Sequence, residues 1–405
     1  MSSPYITHLR LSQGISKYLD LKSHQMILKA HYEVLKHGLQ EGNPFIFTEV
    51  IMPPEIFHSM GIASLFVESL GSFMASVNMN GKIIKTAEDL GIGADICAYH
   101  KSGIGALKSG YIPVPAAFVH SSYWCDDMTK VCEYLSHEYQ RPGFIIDLPF
   151  GSGPDAVDYV AGQFEKMAQF LSENTKIPFS LEKLKETVRL SNEARQYWVM
   201  ANRLREEKPC LVYGTDTLRM LPMLLPKFGL PAAVDICRTY YDELLERRKT
   251  GVSVVKNGKY RLLWLHFFPF YALPFMRYVE EKLGAVIAFE ENTNVYWEPI
   301  DEEEPFVGIA KKLMAHTGFG PSERRADAIL DFVKRYKIDG VVHFSQICCR
   351  PFRGSVSVIR EALNSADVPF LELSGDVLDS RNYSEGQLKI RMEAFIEVLQ
   401  EKNNL

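Results

Sequence analysis

The sequence lacks any apolar run long enough to cross a membrane. Its longest apolar stretch covers 262–275 and is interrupted by His266, Pro269 and Pro274. A spanning helix needs about 20 consecutive apolar residues. The first residues, MSSPYITHLRLSQG, also lack the apolar core of a signal peptide. We therefore expect a protein without a membrane segment that resides in the cytoplasm.

Excess positive charge is missing as well. The 405 residues include 45 Lys and Arg against 50 Asp and Glu, which gives a net charge of −5 at pH 7. Binding to phosphate backbones depends on clustered basic residues, so we expect no nucleic-acid partner. The sequence also contains no paired C-x-x-C, no P-loop and no G-x-G-x-x-G. These absences argue against a structural zinc site, bound ATP and a dinucleotide fingerprint.

Seven cysteines are present, and their odd number favours free thiols over a disulfide framework; they are Cys97, Cys125, Cys132, Cys210, Cys237, Cys348 and Cys349. A buried cysteine usually packs as a small hydrophobic residue, and we expect this of Cys132, Cys210 and Cys237. Cys348 and Cys349 are adjacent and follow an apolar run. Successive side chains of a strand point to opposite faces, so one of these two must face away from the core.

The length and the pattern of apolar runs predict two domains. Short β-rich runs alternate with helical stretches and lie at 44–52, 62–69, 115–123, 142–150, 260–268, 284–291, 339–347 and 368–376. Continuous apolar runs of this kind are typical of parallel sheets covered on both faces. We predict an α/β fold of two Rossmann-like domains with short parallel sheets, plus N-terminal and connecting helices.

The predicted division has four parts: an N-terminal helical segment (1–40), a first α/β domain (41–155), a helical connector (156–255) and a second α/β domain (256–405). The two α/β parts look alike, because the third run of each is followed by a cysteine, Cys125 or Cys349. Parallel sheets bind ligands beyond the carboxyl ends of their strands. Both cysteines are therefore expected to face one cleft.

Cys97 belongs with these two cysteines because it stands at the start of a predicted helix, where N–H groups and the helix dipole stabilise a thiolate. Three widely spaced cysteines would suit an iron–sulfur cluster held across two domains, with one iron lacking a protein ligand. Three ordinary core thiols remain the alternative. His100 and His120 lie close to these cysteines in sequence and could donate to sulfur or be satisfied locally.

Three stretches carry a family resemblance: DICAYHKSG (95–103), SSYWCDDMTKVCEYL with the following HEYQRPGFIIDLPF (121–150), and DGVVHFSQICCR (339–350). In this order they resemble the 2-hydroxyacyl-CoA dehydratase and benzoyl-CoA reductase superfamily, from about residue 50 to the carboxyl terminus. The resemblance implies that Cys97, Cys125 and Cys349 ligate a [4Fe–4S] cluster at a domain cleft. The fourth iron of that cluster would be open to water or to a thioester carbonyl.

The resemblance also implies that Glu68 acts as an acid or base near the substrate. Without the resemblance, we would expect Glu68 to be a solvated carboxylate at the end of a strand. Cys348 would then be the neighbour of a ligand, and we expect it to pack inward. One position departs from the pattern: Val50 stands where the dehydratase relative has a serine near the substrate. A valine side chain cannot donate that hydrogen bond.

The activity implied by the resemblance is elimination of water from an (R)-2-hydroxyacyl-CoA through a ketyl radical anion, formed by one-electron reduction in an oxygen-sensitive enzyme. The implied partners are a homologous second subunit or a second copy in a dimer, a separate ATP-dependent iron–sulfur activator protein and a CoA-thioester substrate. Three alternatives stay open. They are a benzoyl-CoA (aryl-CoA) reductase subunit, an electron-relay subunit that binds no substrate, and a small-molecule reductase with an [8Fe–9S] double-cubane cluster that recruits Cys348 and Cys132.

Overall fold

The computed structural model describes residues 3–16, 19–40, 42–123, 125–151, 153–256 and 258–403. The predicted segments and the quoted motif around Cys125 include a few positions that lie outside the described residues, namely 1–2, 17–18, 41, 124, 152, 257 and 404–405.

The first sheet has four short parallel strands in the order β2-β1-β3-β4, with β1 (Phe45–Thr48), β2 (Ala63–Phe66), β3 (Ala117–Ser121) and β4 (Gly143–Ile146). The central strands β1 and β3 are buried along their whole length, as their apolar composition requires. They pair in register, with Ile46 opposite Ala117. Each strand lies inside one of the predicted runs.

The second sheet repeats this plan in the order β6-β5-β7-β8, with β5 (Tyr260–Leu265), β6 (Ala285–Glu290), β7 (Gly340–Gln346) and β8 (Phe370–Gly375). All of its pairs are parallel, and Leu262 lies opposite Gly340 in the central pair. The two sheets confirm the predicted α/β fold of two Rossmann-like domains.

Seven helices accompany the first sheet or precede it: α1 (Pro4–Ser16), α2 (Lys22–Gly38), α3 (Pro54–Ser59), α4 (Val67–Ser76), α5 (Asn80–Glu88), α6 (Ala98–Lys108) and α7 (Asp126–Tyr139). Four more follow: α8 (Pro154–Thr175), α9 (Leu181–Leu204), α10 (Gly214–Leu224) and α11 (Pro231–Lys249). The Ser180 hydroxyl caps α9 by accepting from the N–H of Lys183, and proline opens α8 and α11.

The helices around the second sheet are α12 (Leu273–Arg277), α13 (Pro305–Met314), α14 (Ser322–Arg335), α15 (Arg350–Gly354), α16 (Val356–Ser365) and α17 (Glu385–Asn403). A π-helical segment, Tyr278–Lys282, continues α12. The boundaries 1–40, 41–155, 156–255 and 256–405 stay a prediction. Across the described ranges, none of these helices combines the length and the apolar character that crossing a membrane requires.

The strand order fixes where a ligand site can form. In each sheet the first strand lies between the second and the third strand of the chain. The strand order therefore reverses beside the first strand, and a crevice opens there at the carboxyl ends of the strands. These crevices lie after β1 and β3 in the first sheet and after β5 and β7 in the second. One large apolar core runs from α1 and α2 through the first sheet and α10 to the second sheet.

Candidate active site

Three cysteines occupy the same local position, the residue immediately before a helix. Cys97 precedes α6, Cys125 precedes α7 and Cys349 precedes the short helix α15. The start of a helix presents N–H groups that have no partner within the helix. The predicted helix start at Cys97 is confirmed, and Cys125 and Cys349 share it.

The three cysteines line one cavity of about 190 Å³ at the carboxyl ends of both sheets. Cys125 follows β3, and Cys349 follows β7, which is the equivalent strand of the second sheet. Glu68, the other residue selected from the sequence, lines the same cavity. Other lining residues come from the segments after β1, β5, β6 and β7 and from α6, α10, α13 and α15. The structure therefore brings all four selected residues together.

Burial dominates the pKa values of these thiols. It raises the pKa of Cys97 and Cys125 well above the usual thiol value and that of Cys349 to about 11. Negative charge on Cys125 and Cys349 raises the pKa of Cys97 further, so the three groups lie within electrostatic reach of one another. As free thiols they are protonated at neutral pH, and a bound metal would displace those protons. A position at a helix start would by itself lower the pKa of a thiol, but here the effect of burial is larger.

A histidine lies beside two of the three sulfurs. His100 Nε2 is 3.3 Å from Cys125 Sγ, and His266 Nε2 is 3.7 Å from Cys349 Sγ. Burial lowers the pKa of both imidazoles to about 3, so they are neutral and each carries one N–H. His100 was selected from the sequence. His266 was not, although it interrupts the long apolar run and the signal was therefore visible.

His120 does not reach the cavity. It is fully buried on β3 beside the ring of Phe47, and within the described residues its ring nitrogens have no hydrogen-bond partner. It is therefore not placed to donate to a sulfur in this structure.

One carboxylate ties the three cysteine segments together. Asp127 lies two residues after Cys125, accepts the N–H of Cys97 at 3.1 Å and pairs with Arg350, beside Cys349, at 3.0 Å. Its oxygen also lies within 4.8 Å of the ligand atoms of His100 and Cys125, a grouping that could hold a metal ion. Sequence reasoning missed this residue because its partners are up to 223 positions away.

The other four cysteines differ in their surroundings. Cys132 and Cys237 are buried in the core, and the Cys210 thiol donates to the carbonyl of Val212. Cys348, however, is half-buried and lines the cavity, with its backbone in the left-handed region at φ 70°. The expectation that Cys348 packs inward is therefore wrong. The strand ends at Gln346, and the turn that follows breaks the alternation on which that expectation rested.

Glu68 lies in the first turn of α4 and not in water at a strand end. Its side chain is buried, and burial together with the charge of Glu49 raises its pKa to about 8. Glu49 follows β1 directly and is also buried, with a pKa of about 7. Its Oε1 accepts from the N–H of Ser121 at 2.6 Å and from the Ser121 hydroxyl at 2.7 Å. Sequence reasoning did not select Glu49.

The rest of the cavity wall is mainly apolar, including Ile51, Met52, Leu221, Leu225, Phe228, Phe267, Trp297, Ile309, Leu313 and Phe352. The Lys312 ammonium group is the lining cation, and it lies over the ring of Trp297. It is already paired with the buried carboxylate of Glu55, which also accepts from the Ser191 hydroxyl. Burial alone would raise the pKa of Glu55, but Lys312 holds it below its usual value.

Comparison with known proteins identifies the family to which the chain belongs. A sequence profile of the 2-hydroxyglutaryl-CoA dehydratase, D-component family matches residues 49–399. The chain belongs to this family. The match begins at Glu49 and includes every residue of the cavity described above.

Characterised relatives of this family member are subunits of acyl-CoA enzymes. The chain is 24% identical to the (R)-phenyllactyl-CoA dehydratase alpha subunit of Clostridium sporogenes, over 86% of this chain and 87% of the relative. It is 22% identical to the (R)-2-hydroxyisocaproyl-CoA dehydratase alpha subunit of Clostridioides difficile, over 94% and 96%. It is 24% identical to a subunit of the benzoyl-CoA reductase of Thauera aromatica, over 80% and 81%. The resemblance inferred from the cysteine motifs is confirmed.

Proposed function

We propose that this chain is the iron–sulfur subunit of a 2-hydroxyacyl-CoA dehydratase-type enzyme, which eliminates water from an (R)-2-hydroxyacyl-CoA. The observation that carries the proposal is one cavity that combines three cysteines from separate segments with the buried carboxyl of Glu68. Thiols suit iron, and a carboxyl with a raised pKa suits proton transfer. The names of two relatives, both dehydratase alpha subunits, support the choice of reaction.

The donor set suits a [4Fe–4S] cluster that is bound by Cys97, Cys125 and Cys349. The three thiols share one cavity, two of them lie beside a neutral histidine, and Asp127 joins their segments. When bound, the cluster would supply one electron to the thioester carbonyl of the substrate, which leads to a ketyl radical anion. His100 and His266 would each donate an N–H toward a ligand sulfur, as partners of metal ligands commonly do.

The chain's own residues would position the substrate and move its protons. Glu68 Oε2 has no hydrogen-bond partner among the described residues, and the carboxyl is protonated at neutral pH because its pKa is about 8. It would donate a proton to the hydroxide that leaves carbon 2 of the acyl group and accept the proton that carbon 3 loses. The apolar wall would receive the acyl chain and exclude water from the reacting carbons.

The charges of the cavity favour an apolar acyl group over a dicarboxylic one. A second carboxylate on the substrate would meet Glu49 and Glu68, and Lys312 is already neutralised by Glu55. We therefore expect kcat/KM to be higher for an aryl or branched-alkyl 2-hydroxyacyl-CoA than for 2-hydroxyglutaryl-CoA. Equal kcat/KM values for the two classes of substrate would contradict the proposal that the apolar cavity wall receives the acyl group.

The proposed partners are a homologous second subunit or a second copy of this chain, and a separate ATP-dependent iron–sulfur activator protein. The relatives support a subunit partner because they are named as subunits of larger enzymes. The proposed location is the cytoplasm, where the seven free cysteines would stay reduced.

An aryl-CoA reductase is the second candidate, and Val50 is the observation that favours it. Val50 lines the cavity at the position where the dehydratase pattern has a serine, so its side chain cannot hold a substrate hydroxyl. The benzoyl-CoA reductase of Thauera aromatica also contains a relative of this chain. The two candidates are distinguished by their products, because dehydration of a 2-hydroxyacyl-CoA releases water and an enoyl-CoA, whereas a reductase yields a reduced ring.

The proposal is tested by anaerobic purification, with iron and sulfide counted per chain for wild type, Cys349→Ala and the control Cys210→Ala. About four irons in wild type and in the control, lost in Cys349→Ala, would support the [4Fe–4S] subunit. About eight would favour the [8Fe–9S] double-cubane alternative, although Cys132 lies in the core and away from the cavity. No iron in a folded wild type would reject the cofactor. Absence of CoA-thioester binding would leave the electron-relay alternative.

A further inference from the structure

Two buried carboxyl groups, those of Glu49 and Glu68, line one cavity just after the ends of paired strands, because Thr48 of β1 lies opposite Phe66 of β2. Ser121 fixes one oxygen of Glu49 through its N–H and its hydroxyl. Each carboxyl keeps a buried Oε2 for which the described part of the chain provides no hydrogen-bond partner. A buried, unpaired polar atom is costly and calls for an explanation.

We propose that Glu49 and Glu68, which follow paired strands and line one cavity, act as a single proton-sharing pair, in which Glu68 exchanges protons with the substrate and Glu49 acts through Glu68. The inference rests on the proposed function for its substrate. Within it, Glu68 is the catalytic residue that touches the substrate, and Glu49 is a positioning residue that acts through Glu68.

The order of ionisation follows from the surroundings of each group. Burial raises the pKa of Glu49 to about 7, with the two hydrogen bonds from Ser121 limiting the rise. Glu49 therefore ionises first, and its negative charge adds to the effect of burial in raising the pKa of Glu68 to about 8. Neither carboxyl is shifted by a neighbouring Lys or Arg. Near neutral pH, one proton consequently stays on Glu68.

Both proton transfers of a dehydration can be carried out by this pair. Glu68 Oε2 donates its proton to the hydroxide that leaves carbon 2, and water departs. Glu49 and Glu68 are then two neighbouring carboxylates in a buried site, and their repulsion increases the proton affinity of Glu68. Glu68 next accepts the proton that carbon 3 loses, which restores the starting state. These two transfers require no further proton donor.

The other titratable groups around the pair keep a constant charge at moderate pH. Tyr99 faces Glu68 from α6, and burial raises the pKa of its phenol well above 10. Cys125 and Cys132 face Glu49 from α7, and burial raises the pKa of Cys132 to about 12. Cys125 would carry iron and stay a thiolate. The helices α5 and α10 also pack on α4, but they contribute no charge that shifts Glu68.

The test is an infrared titration of the anaerobically purified holoenzyme, which follows the carbonyl stretch of protonated carboxyl groups in wild type, Glu49→Gln and Glu68→Gln. The Glu68→Gln spectra identify the Glu68 band. In Glu49→Gln we expect this band to titrate about one pH unit lower or more, because groups that share a proton are coupled by at least that amount. The alkaline limb of kcat should move by the same amount while KM stays unchanged.

Two further variants keep the test decisive if Glu49→Gln does not fold. Ser121→Ala removes a hydrogen bond that lowers the pKa of Glu49, so the first titration step of the pair should move to higher pH. Glu280→Gln is the matched control, because Glu280 is a buried carboxyl with a pKa of about 8 that does not line the cavity. The Glu280→Gln variant should lack one carbonyl band, and its Glu68 band and the pH profile of its kcat should be the same as in wild type.

The two proposals fail in different ways. A Glu68 band that titrates at the same pH in wild type and Glu49→Gln, or an unchanged first step in Ser121→Ala, would overturn the shared pair. That result does not depend on turnover. A normal shift of the band, with no product from any 2-hydroxyacyl-CoA in the complete enzyme, would instead overturn the proposed dehydration.

Discussion

In the second sheet, Glu290 ends β6 and Glu291 follows it, and each accepts two hydrogen bonds from a buried arginine. Arg205 reaches Glu290 at 2.5 and 2.9 Å, and Arg325 reaches Glu291 at 2.5 and 2.7 Å. In the first sheet, Glu68 follows β2, which is the strand equivalent to β6, and Glu49 follows the neighbouring strand β1. Both are buried as well, and among the described residues neither is paired with an arginine.

The difference separates a structural use of buried acids from a chemical one. A buried acid with a bidentate arginine partner holds elements in place, and Arg325 extends this support by also donating to the Phe352 carbonyl and to Ser355 near α15. A buried acid without a cation has a raised pKa, so it can take up and release a proton near neutral pH. Under the proposed function, the first sheet would supply the proton-transfer groups, and the second sheet supplies support for the segment around Cys349.

The largest effect is expected for Glu68→Gln, which removes the proton-transfer group and keeps the shape of the side chain. General acid–base catalysis is worth about 10²- to 10⁴-fold, so kcat should fall by that factor. Stability should be unchanged or higher, because the amide carries no charge to bury. The measurements are turnover by the complete enzyme and urea unfolding. A loss of stability without a loss of kcat would mean that Glu68 has a structural role, like Glu290 and Glu291.

The opposite result is expected for Arg205→Met in the second sheet. Removing the arginine leaves the buried Glu290 carboxyl without its cation partner, which should cost about 3–5 kcal/mol of unfolding free energy. Urea denaturation measures this loss. The double variant Arg205→Met with Glu290→Leu should recover most of it, because an apolar pair needs no charge partner.

A matched control for this variant is Arg238→Met. The side chains of Arg238 and its partner Glu193 are 45% and 43% exposed, so the loss of this pair should cost less than about 1 kcal/mol. Equal losses for Arg205→Met and Arg238→Met would contradict the contrast between buried and exposed pairs.

The smallest effect is a dependence of stability on pH. Between about pH 6.5 and pH 8, folded Glu68 holds a proton that the unfolded chain, with carboxyl pKa values near 4.5, has already lost, and folded Glu49 does so up to about pH 7. Stability should therefore fall as pH rises through this window, by on the order of 1 kcal/mol per pH unit for each group that still holds its proton. The depressed pKa values of His100 and His266 act in the opposite direction, but mainly below pH 6.5.

Glutamine at both positions should flatten this slope. Urea unfolding of wild type and of the double variant at several pH values measures the difference. Parallel curves for the two proteins would mean that the acids titrate alike in the folded and unfolded states.

Local sequence was sufficient to predict the two sheets. All eight strands lie inside the predicted runs, because strands buried on both faces are continuously apolar and can be recognised without knowledge of their partners. The repeated cysteine after the third run also predicted correctly that Cys125 and Cys349 line one cavity. The runs extend beyond the strands, as at 62–69, where β2 ends at Phe66 and α4 begins.

What could not be predicted depends on contacts between distant parts of the chain. Asp127 matters because Cys97 and Arg350 meet there, and Glu49 matters because Ser121 and Glu68 surround it. Neither contact has a local pattern. The direction of Cys348 depends on one left-handed residue after the strand, which periodicity cannot reveal.

The division of the cavity cysteines between the two halves also constrains how the protein is made. Cys97 and Cys125 emerge early during synthesis, whereas Cys349 follows more than 200 residues later. The complete set of three thiols therefore exists only after both sheets have folded and docked. If these thiols hold the cluster, its insertion becomes a checkpoint on the finished chain, and a truncated or misdocked product would be left unmetallated and exposed to proteolysis.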